Sequence, residues 1–195
     1  MSQGSFFDAA AASHPLERTF LALRPDRDVA EGLMSHARQV AARGGFHGAF
    51  LPPERQHVSL HPVAPPGRRS GARLISSIGG AVARARIDAF EVSVSSVMTF
   101  KGGPRRAPLV AVVDGPLVQG CYRRLAEALA WERLAVGRRQ FEPHVTLAWG
   151  QGRIDEHPVI GLRWRVREIV LIRSHQGQGR HEELARWALE DRPGA

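Results

Sequence analysis

The chain has 195 residues, 43% hydrophobic and 24% charged, a balance that suits a globular protein able to bury a sizeable core in one domain or in two small lobes sharing it. No apolar run approaches the roughly 20 residues of a membrane span, and Phe6-Phe7-Asp8-Ala9 lacks the basic leader and apolar length of a signal peptide, so a cytoplasmic protein without a membrane partner is expected. The net charge of +8 rests on arginine, Lys101 being the sole lysine; it fits a polyanionic partner such as RNA, and a genome-wide arginine bias would give the same count.

Residues 1–16 are rich in small side chains without a period and read as a poorly ordered lead; residues 17–190 read as a single bilobal domain and 191–195 as a tail. Arg18 to Leu23 alternates as a strand. Pro25-Asp26 opens a helix in which Val29, Leu33, Ala37, Val40 and Ala41 recur at helical spacing until Gly44-Gly45. Phe46 and Phe50 fall in the following loop, as core or lid packing in preference to a base-stacking platform. Glu54-Arg55-Gln56 then leads into the stretch His57-Val58-Ser59-Leu60, which Pro65-Pro66-Gly67 ends.

Ser70 reads as the N-cap of a second helix with Leu74, Ile78 and Val82 on its buried stripe to about Arg86, and Gly79-Gly80 in its middle permits close packing. Phe90, Val92 and Val94 alternate with Glu91, Ser93 and Ser95, a half-buried strand. Lys101 to Arg106 is a basic turn, either a solvated hairpin tip or a grip on RNA phosphates. Leu109 to Val113 fits a central strand, and Asp114-Gly115-Pro116 starts a helix with Leu117, Cys121, Leu125 and Leu129 along one face. Cys121, the single cysteine, has no disulfide partner and reads as a small buried residue.

Arg138-Arg139 precedes a second stretch, His144-Val145-Thr146-Leu147, at the surface or near a substrate phosphate. A turn-rich segment through Pro158 leads to a strand over Trp164 to Arg173, and Leu184 to Leu189 adds an edge strand. His175 and His181 flank Gln176-Gly177-Gln178-Gly179, read as an exposed loop. His14, His36, His47, His61 and His157 lack a matching constellation and are taken as surface or structural, although His61 falls on the strand face of His57 and Ser59.

The two stretches say nearly the same thing: His, apolar, hydroxyl, apolar. Along a strand successive side chains point to opposite faces, so His57 with Ser59, and His144 with Thr146, face a cleft while the apolar residues anchor in a core. Two histidines, with an ordinary pKa of about 6.5, supply a neutral acceptor and a charged donor of protons together. A hydroxyl about 6.5–7 Å further along the same face donates to a phosphate oxygen. This is acid/base chemistry at a phosphodiester, and it asks for no metal or cofactor. The order strand, helix, motif strand occurs twice, which suggests an internal duplication with the motifs related by a pseudo-twofold axis.

This pair resembles the 2H phosphoesterase superfamily, with its two H-x-[ST]-x motifs, and most closely its RNA 2′,3′-cyclic phosphodiesterase branch, the 2′-5′ RNA ligase or LigT-like family. Arg18-Thr19-Phe20-Leu21-Ala22-Leu23 looks like the family's opening strand, Phe141-Glu142-Pro143 like the lead-in to its second motif, and Val166-Arg167-Glu168-Ile169-Val170-Leu171 like the strand that follows. The sequence departs from the family in having Ser59 where threonine is commoner, His61-Pro62-Val63 after the first motif, and Trp149 where an arginine often follows the second.

The resemblance implies an α+β fold of two pseudo-symmetric lobes, antiparallel sheets backed by helices around a central cleft. It further implies metal-independent hydrolysis of a 2′,3′-cyclic phosphate, at an RNA end or on a nucleotide, to a 2′-phosphate. His144 would activate water, His57 would protonate the departing 3′ oxygen, and Ser59 and Thr146 would bind the substrate's phosphate oxygens. The alternatives are a 2′-5′ RNA ligase, which is the reverse chemistry, and a non-catalytic RNA- or nucleotide-binding module on the same fold. No obligate protein partner is implied.

Overall fold

The computed structural model describes residues 17–63, 71–102, 106–134, 140–175 and 177–191. The lead over 1–16, the Pro65-Pro66-Gly67 turn and the Arg138-Arg139 pair lie outside them. Strand β1 (Glu17–Leu23) alternates as its sequence demands, with Leu21 and Leu23 buried beneath. Helix α1 (Arg27–Gly44) buries Val29, Leu33, Ala37, Val40 and Ala41, and stops because Gly45 takes a left-handed φ of 69° and returns its N–H to the Ala41 carbonyl. Strand β2 (His47–Phe50) follows where a loop was expected. Phe46 is buried and Phe50 packs on the core, in agreement with the packing reading.

After a 3-10 turn at Pro53–Arg55 come β3 (Val58–Pro62) and α2 (Ala72–Ala85). Gly71 is the N-cap of α2, and Ser70, where the cap is expected from the sequence, lies outside the described residues. A Cβ on Gly79 would stand 2.9 Å from the indole nitrogen of Trp187, so this glycine lets the helix approach that ring. Strands β4 (Phe90–Thr99) and β5 (Ala107–Asp114) form a hairpin and lead to α3 (Pro116–Trp131). On α3, Val118 joins Cys121, Leu125 and Leu129 in the core, while Leu117 is 56% exposed. Four-residue steps overshoot a 3.6-residue turn by about 40° each. A stripe fixed on Leu125 and Leu129 has therefore rotated past Leu117 by the first turn.

The rest of the chain is β6 (His144–Gln151), β7 (His157–Pro158), β8 (Arg163–Val166), β9 (Glu168–His175) and β10 (Arg180–Ala188). The single strand expected over Trp164 to Arg173 is thus two. Exposed Arg167 divides them, and they lie far apart: β8 pairs with β4 and β9 with β1. The edge strand β10 begins earlier than expected, at Arg180.

Among the described residues the strands form one ten-stranded sheet in the order β10-β9-β1-β3-β6-β5-β4-β7, with β2 also on β6 and β8 also on β4. Every pair within it is antiparallel. Its halves, β10-β9-β1-β3 and β6-β5-β4, are the two expected lobes, and they meet at β3 and β6. One hydrophobic cluster joins all three helices to Leu21, Leu23, Val58, Leu60, Val145 and Leu147 on one face of the sheet; each such side chain contributes about 1.5–3 kcal/mol by leaving water. On the other face, among the described residues, Ala22, Val170 and Ile172 form a small buried cluster with Phe20 packed against it. No helix among the described residues is long and apolar enough to cross a membrane.

Candidate active site

The two motif stretches are neighbours. Val58 pairs with Val145 in an antiparallel register, and one step along that ladder sets His57 across from Thr146 and Ser59 across from His144. Each histidine therefore faces the other motif's hydroxyl, as a twofold axis through the Val58–Val145 pair requires. The two valines, Leu60 and Leu147 are buried on the helix side. His57, His144 and Thr146 are half-buried on the open face and Ser59 is exposed there.

The symmetry extends to the backbone. The register slips between Ser59 and Pro62 against β1, and again between Thr146 and Ala148 against β5, so a bulge follows the hydroxyl of each motif. The first bulge sends His61 to the helix side. There it is 1% exposed, stacks on Tyr122 at 3.9 Å and places Nε2 2.8 Å from the Tyr122 carbonyl. The expectation that His61 shares the face of His57 is thereby corrected, and its structural reading stands. Burial, opposed by that carbonyl, lowers its pKa. The second bulge turns Ala148 inward and Trp149, 37% exposed, onto the open face.

Both motif histidines are held by the same contact. His57 Nδ1 lies 2.7 Å from the Arg55 carbonyl and His144 Nδ1 lies 2.7 Å from the Glu142 carbonyl. A carbonyl only accepts, so each Nδ1 carries a hydrogen and each Nε2 is the nitrogen left to exchange a proton with a ligand. Phe20 stacks on His57 with centroids 5.1 Å apart, and Phe100 lies 5.0 Å from His144. Burial pushes the His57 pKa down to about 4; Arg24, His144 and Arg55 add to this, and the Arg55 carbonyl opposes it.

A third histidine joins them. The His181 ring stands edge-on to His57 with centroids 5.2 Å apart, and 6.2 Å from Phe20. Burial, then the charges of His57, Arg55 and Arg24, pushes its pKa to about 4 as well. It was expected beside an exposed loop, and nothing in the local sequence points elsewhere; it reaches the site because His181 pairs with Ser174 on β9, and β9 lies on β1. His175 is also no loop residue: it is 7% exposed, with Nδ1 3.5 Å from Glu17 and Nε2 3.3 Å from Glu182. Cys121 is 3% exposed, and burial raises its thiol to about 12.

Beside His144 lies a pocket of about 930 Å³ lined by Phe100, Val112, Glu142, Pro143, Lys101 and Arg153 among others. Arg106 lies across the Trp149 ring at 5.0 Å. The site therefore has two imidazoles each with a directed Nε2, two hydroxyls and nearby arginines; the pocket adjoins it through Phe100, Glu142 and Pro143 but is lined by none of the four motif side chains. This suits an anionic ligand beside which one group gives up a proton and another receives one.

Comparisons with known proteins show a family and a fold. The profile described as 2′-5′ RNA ligase superfamily matches residues 25–178, which include both motif stretches. The fold is similar to that of LigT from E. coli complexed with 3′-AMP, with a TM-score of 0.68 and 19% identity over 90% of this chain and 99% of that one. It is similar also to TT0787 of Thermus thermophilus, at 0.65 and 24% over 89% and 98%, and to Usb1 of Kluyveromyces marxianus, at 0.52 and 14% over 88% and 98%. No curated protein matches the sequence. Because the matched profile covers most of the sequence, the chain belongs to the 2′-5′ RNA ligase superfamily of 2H phosphoesterases.

Proposed function

We propose that the protein hydrolyses a 2′,3′-cyclic phosphate, at an RNA end or on a nucleotide, to a 2′-phosphate, with His57 and His144 as its acid and base. The observation that carries this reading is the symmetric pair of histidines, each with Nδ1 tied to a carbonyl, Nε2 free and the other motif's hydroxyl opposite. Solved structures of E. coli LigT complexed with phosphate and with 3′-AMP support a nucleotide phosphate as ligand.

The neutral His144 Nε2 takes a proton from water as its oxygen attacks phosphorus; the bond from phosphorus to the 3′ oxygen breaks, and His57 Nε2–H protonates that oxygen. The 2′ ester remains. His144 is left charged and His57 neutral, and transfer of the gained proton to solvent resets the pair. His57 is neutral in the free protein at pH 7, since its pKa is about 4; the substrate's negative charge favours its charged form and so loads the proton that the step uses. Ser59 and Thr146 donate to the non-bridging oxygens as charge builds there. Both proton transfers are supplied by imidazole, so the proposed mechanism needs no metal.

The test uses an RNA oligonucleotide and a mononucleotide, each ending in a 2′,3′-cyclic phosphate, with chelator present and with separation of 2′- from 3′-phosphate products. A 2′-phosphate that disappears in His57→Ala and His144→Ala is the expected result. No turnover of either substrate by folded wild-type protein would sink the reading and favour a binding module. The same site run backwards is a 2′-5′ ligase, which the family's description favours as a second activity; incubating two RNA ends with the protein measures it directly.

A further inference from the structure

Among the described residues two tryptophans have an arginine stacked on them, and the two pairs are not alike. Arg84 lies over Trp131 at 5.0 Å, but Trp131 ends α3 on the far side of the sheet from the motif histidines. Trp149 lies on the second motif's own strand, and the bulge after Thr146 turns it to the face that carries His144 and Thr146. Trp149 is 37% exposed and the Arg106 guanidinium lies over its ring, 5.0 Å from the centroid, so the two together present a flat cationic surface on that face. The stacked pair suits a planar ligand, which can lie against the guanidinium plane or the exposed part of the indole.

Distance along the strand selects the ligand. Trp149 is three residues past Thr146, roughly 7–10 Å at strand rise. The nucleoside that carries the reacting phosphate has nearer company: Phe100 touches the His144 ring and opens into the pocket of about 930 Å³. Ala107 lines that pocket and pairs with Gly150, one step along the ladder from the Pro108–Trp149 pair, so the indole stands close to the pocket's edge.

We propose that Trp149 and Arg106 form a stacking subsite for the base of the nucleotide preceding the terminal one, which makes a single-stranded RNA end the preferred substrate over a cyclic mononucleotide. This rests on the cyclic-phosphodiesterase reading for its catalytic consequence and on the open-face geometry for binding itself. Base stacking on an aromatic ring tolerates any sequence, so the subsite distinguishes RNA length, not base identity.

Two measurements test it. The first is binding of RNA trinucleotides and of mononucleotides that end in a 3′-phosphate, which needs no turnover. The trinucleotide binds the wild type more tightly, and Trp149→Ala removes that advantage by about ten- to a hundred-fold while Trp149→Phe keeps most of it. The second is the ratio of kcat/KM for an oligonucleotide over a mononucleotide with cyclic ends, which falls by a similar factor in Trp149→Ala and less in Arg106→Gln. Equal binding of both lengths by the wild type, or an unchanged length preference in Trp149→Ala, overturns the subsite. Absence of turnover with length-dependent binding intact would refute the hydrolase reading and leave the subsite standing.

Discussion

The His181 ring meets the His57 ring edge-on, centroids 5.2 Å apart, and both are held neutral to about pH 4, chiefly by burial. In the unfolded chain each would titrate near 6.5. Between those values the unfolded state binds more protons than the folded one, so stability is present above pH 6.5 and lost as pH falls toward 4. We expect an acid-side loss on the order of 2–3 kcal/mol from His57 and less from the more exposed His181, whose shift water screens, read as falling denaturation midpoints between pH 7 and 4. Replacing His181 with Phe should flatten that slope, and an unchanged slope would argue against the burial of His181 as its source.

Binding an anion at the motif pair should take up a proton. Sulfate has no titration of its own in this range, so its affinity should strengthen as pH falls from 8 to 5, by up to about ten-fold per unit where one proton is taken up. NMR of the His57 ring should report a pKa raised by sulfate. Arg24 lowers that pKa in the free protein while its Nη1 holds Glu183 at 2.9 Å. Arg24→Met should therefore raise it, and a fall would contradict the placement of that charge.

The twofold relation makes the hydroxyls interchangeable in kind. Ser59→Thr and Thr146→Ser should keep activity within a few-fold, whereas Ser59→Ala and Thr146→Ala should each lower kcat by about 10²–10³, as loss of a single oxyanion donor does. Steady-state rates on the cyclic mononucleotide check this. Equal losses for the conservative and the alanine changes would mean that shape, not hydrogen bonding, is what these positions provide.

The glycine pair of α2 separates packing from propensity. Gly80→Ala would add a Cβ that meets only the Glu132 carboxylate at 3.6 Å, and should stabilise the protein by about 0.5–1 kcal/mol through helix propensity. Gly79→Val would drive a side chain into Trp187 and should cost about 1–3 kcal/mol. Urea midpoints of the two variants should move in opposite directions.

What the sequence disclosed follows from how far each signal reaches. The faces of β3 and β6 were legible because alternation is local: Val58, Leu60, Val145 and Leu147 mark the buried side, which leaves the histidines opposite. His61 was misplaced because a bulge adds a residue to the count, and nothing in Leu60-His61-Pro62 announces one. His181 was missed because its neighbours come from distant strands: its place is set by Ser174, whose own place is set by Arg18. The same holds for Arg167, where one exposed residue hides a crossing from one half of the sheet to the other.

That crossing bears on synthesis. β1 is made before the other described strands, yet one of its edges is closed only by β9, which follows both motif strands in the chain. Until then Leu21, Leu23 and the unpaired edge of β1 wait on a nascent chain, and the lobe that bears the first histidine cannot close before the second is already in place. The half that holds the first motif is thus finished after the half that holds the second, and until β9 is made β1 presents an open strand edge of the kind that recruits chaperones or other chains.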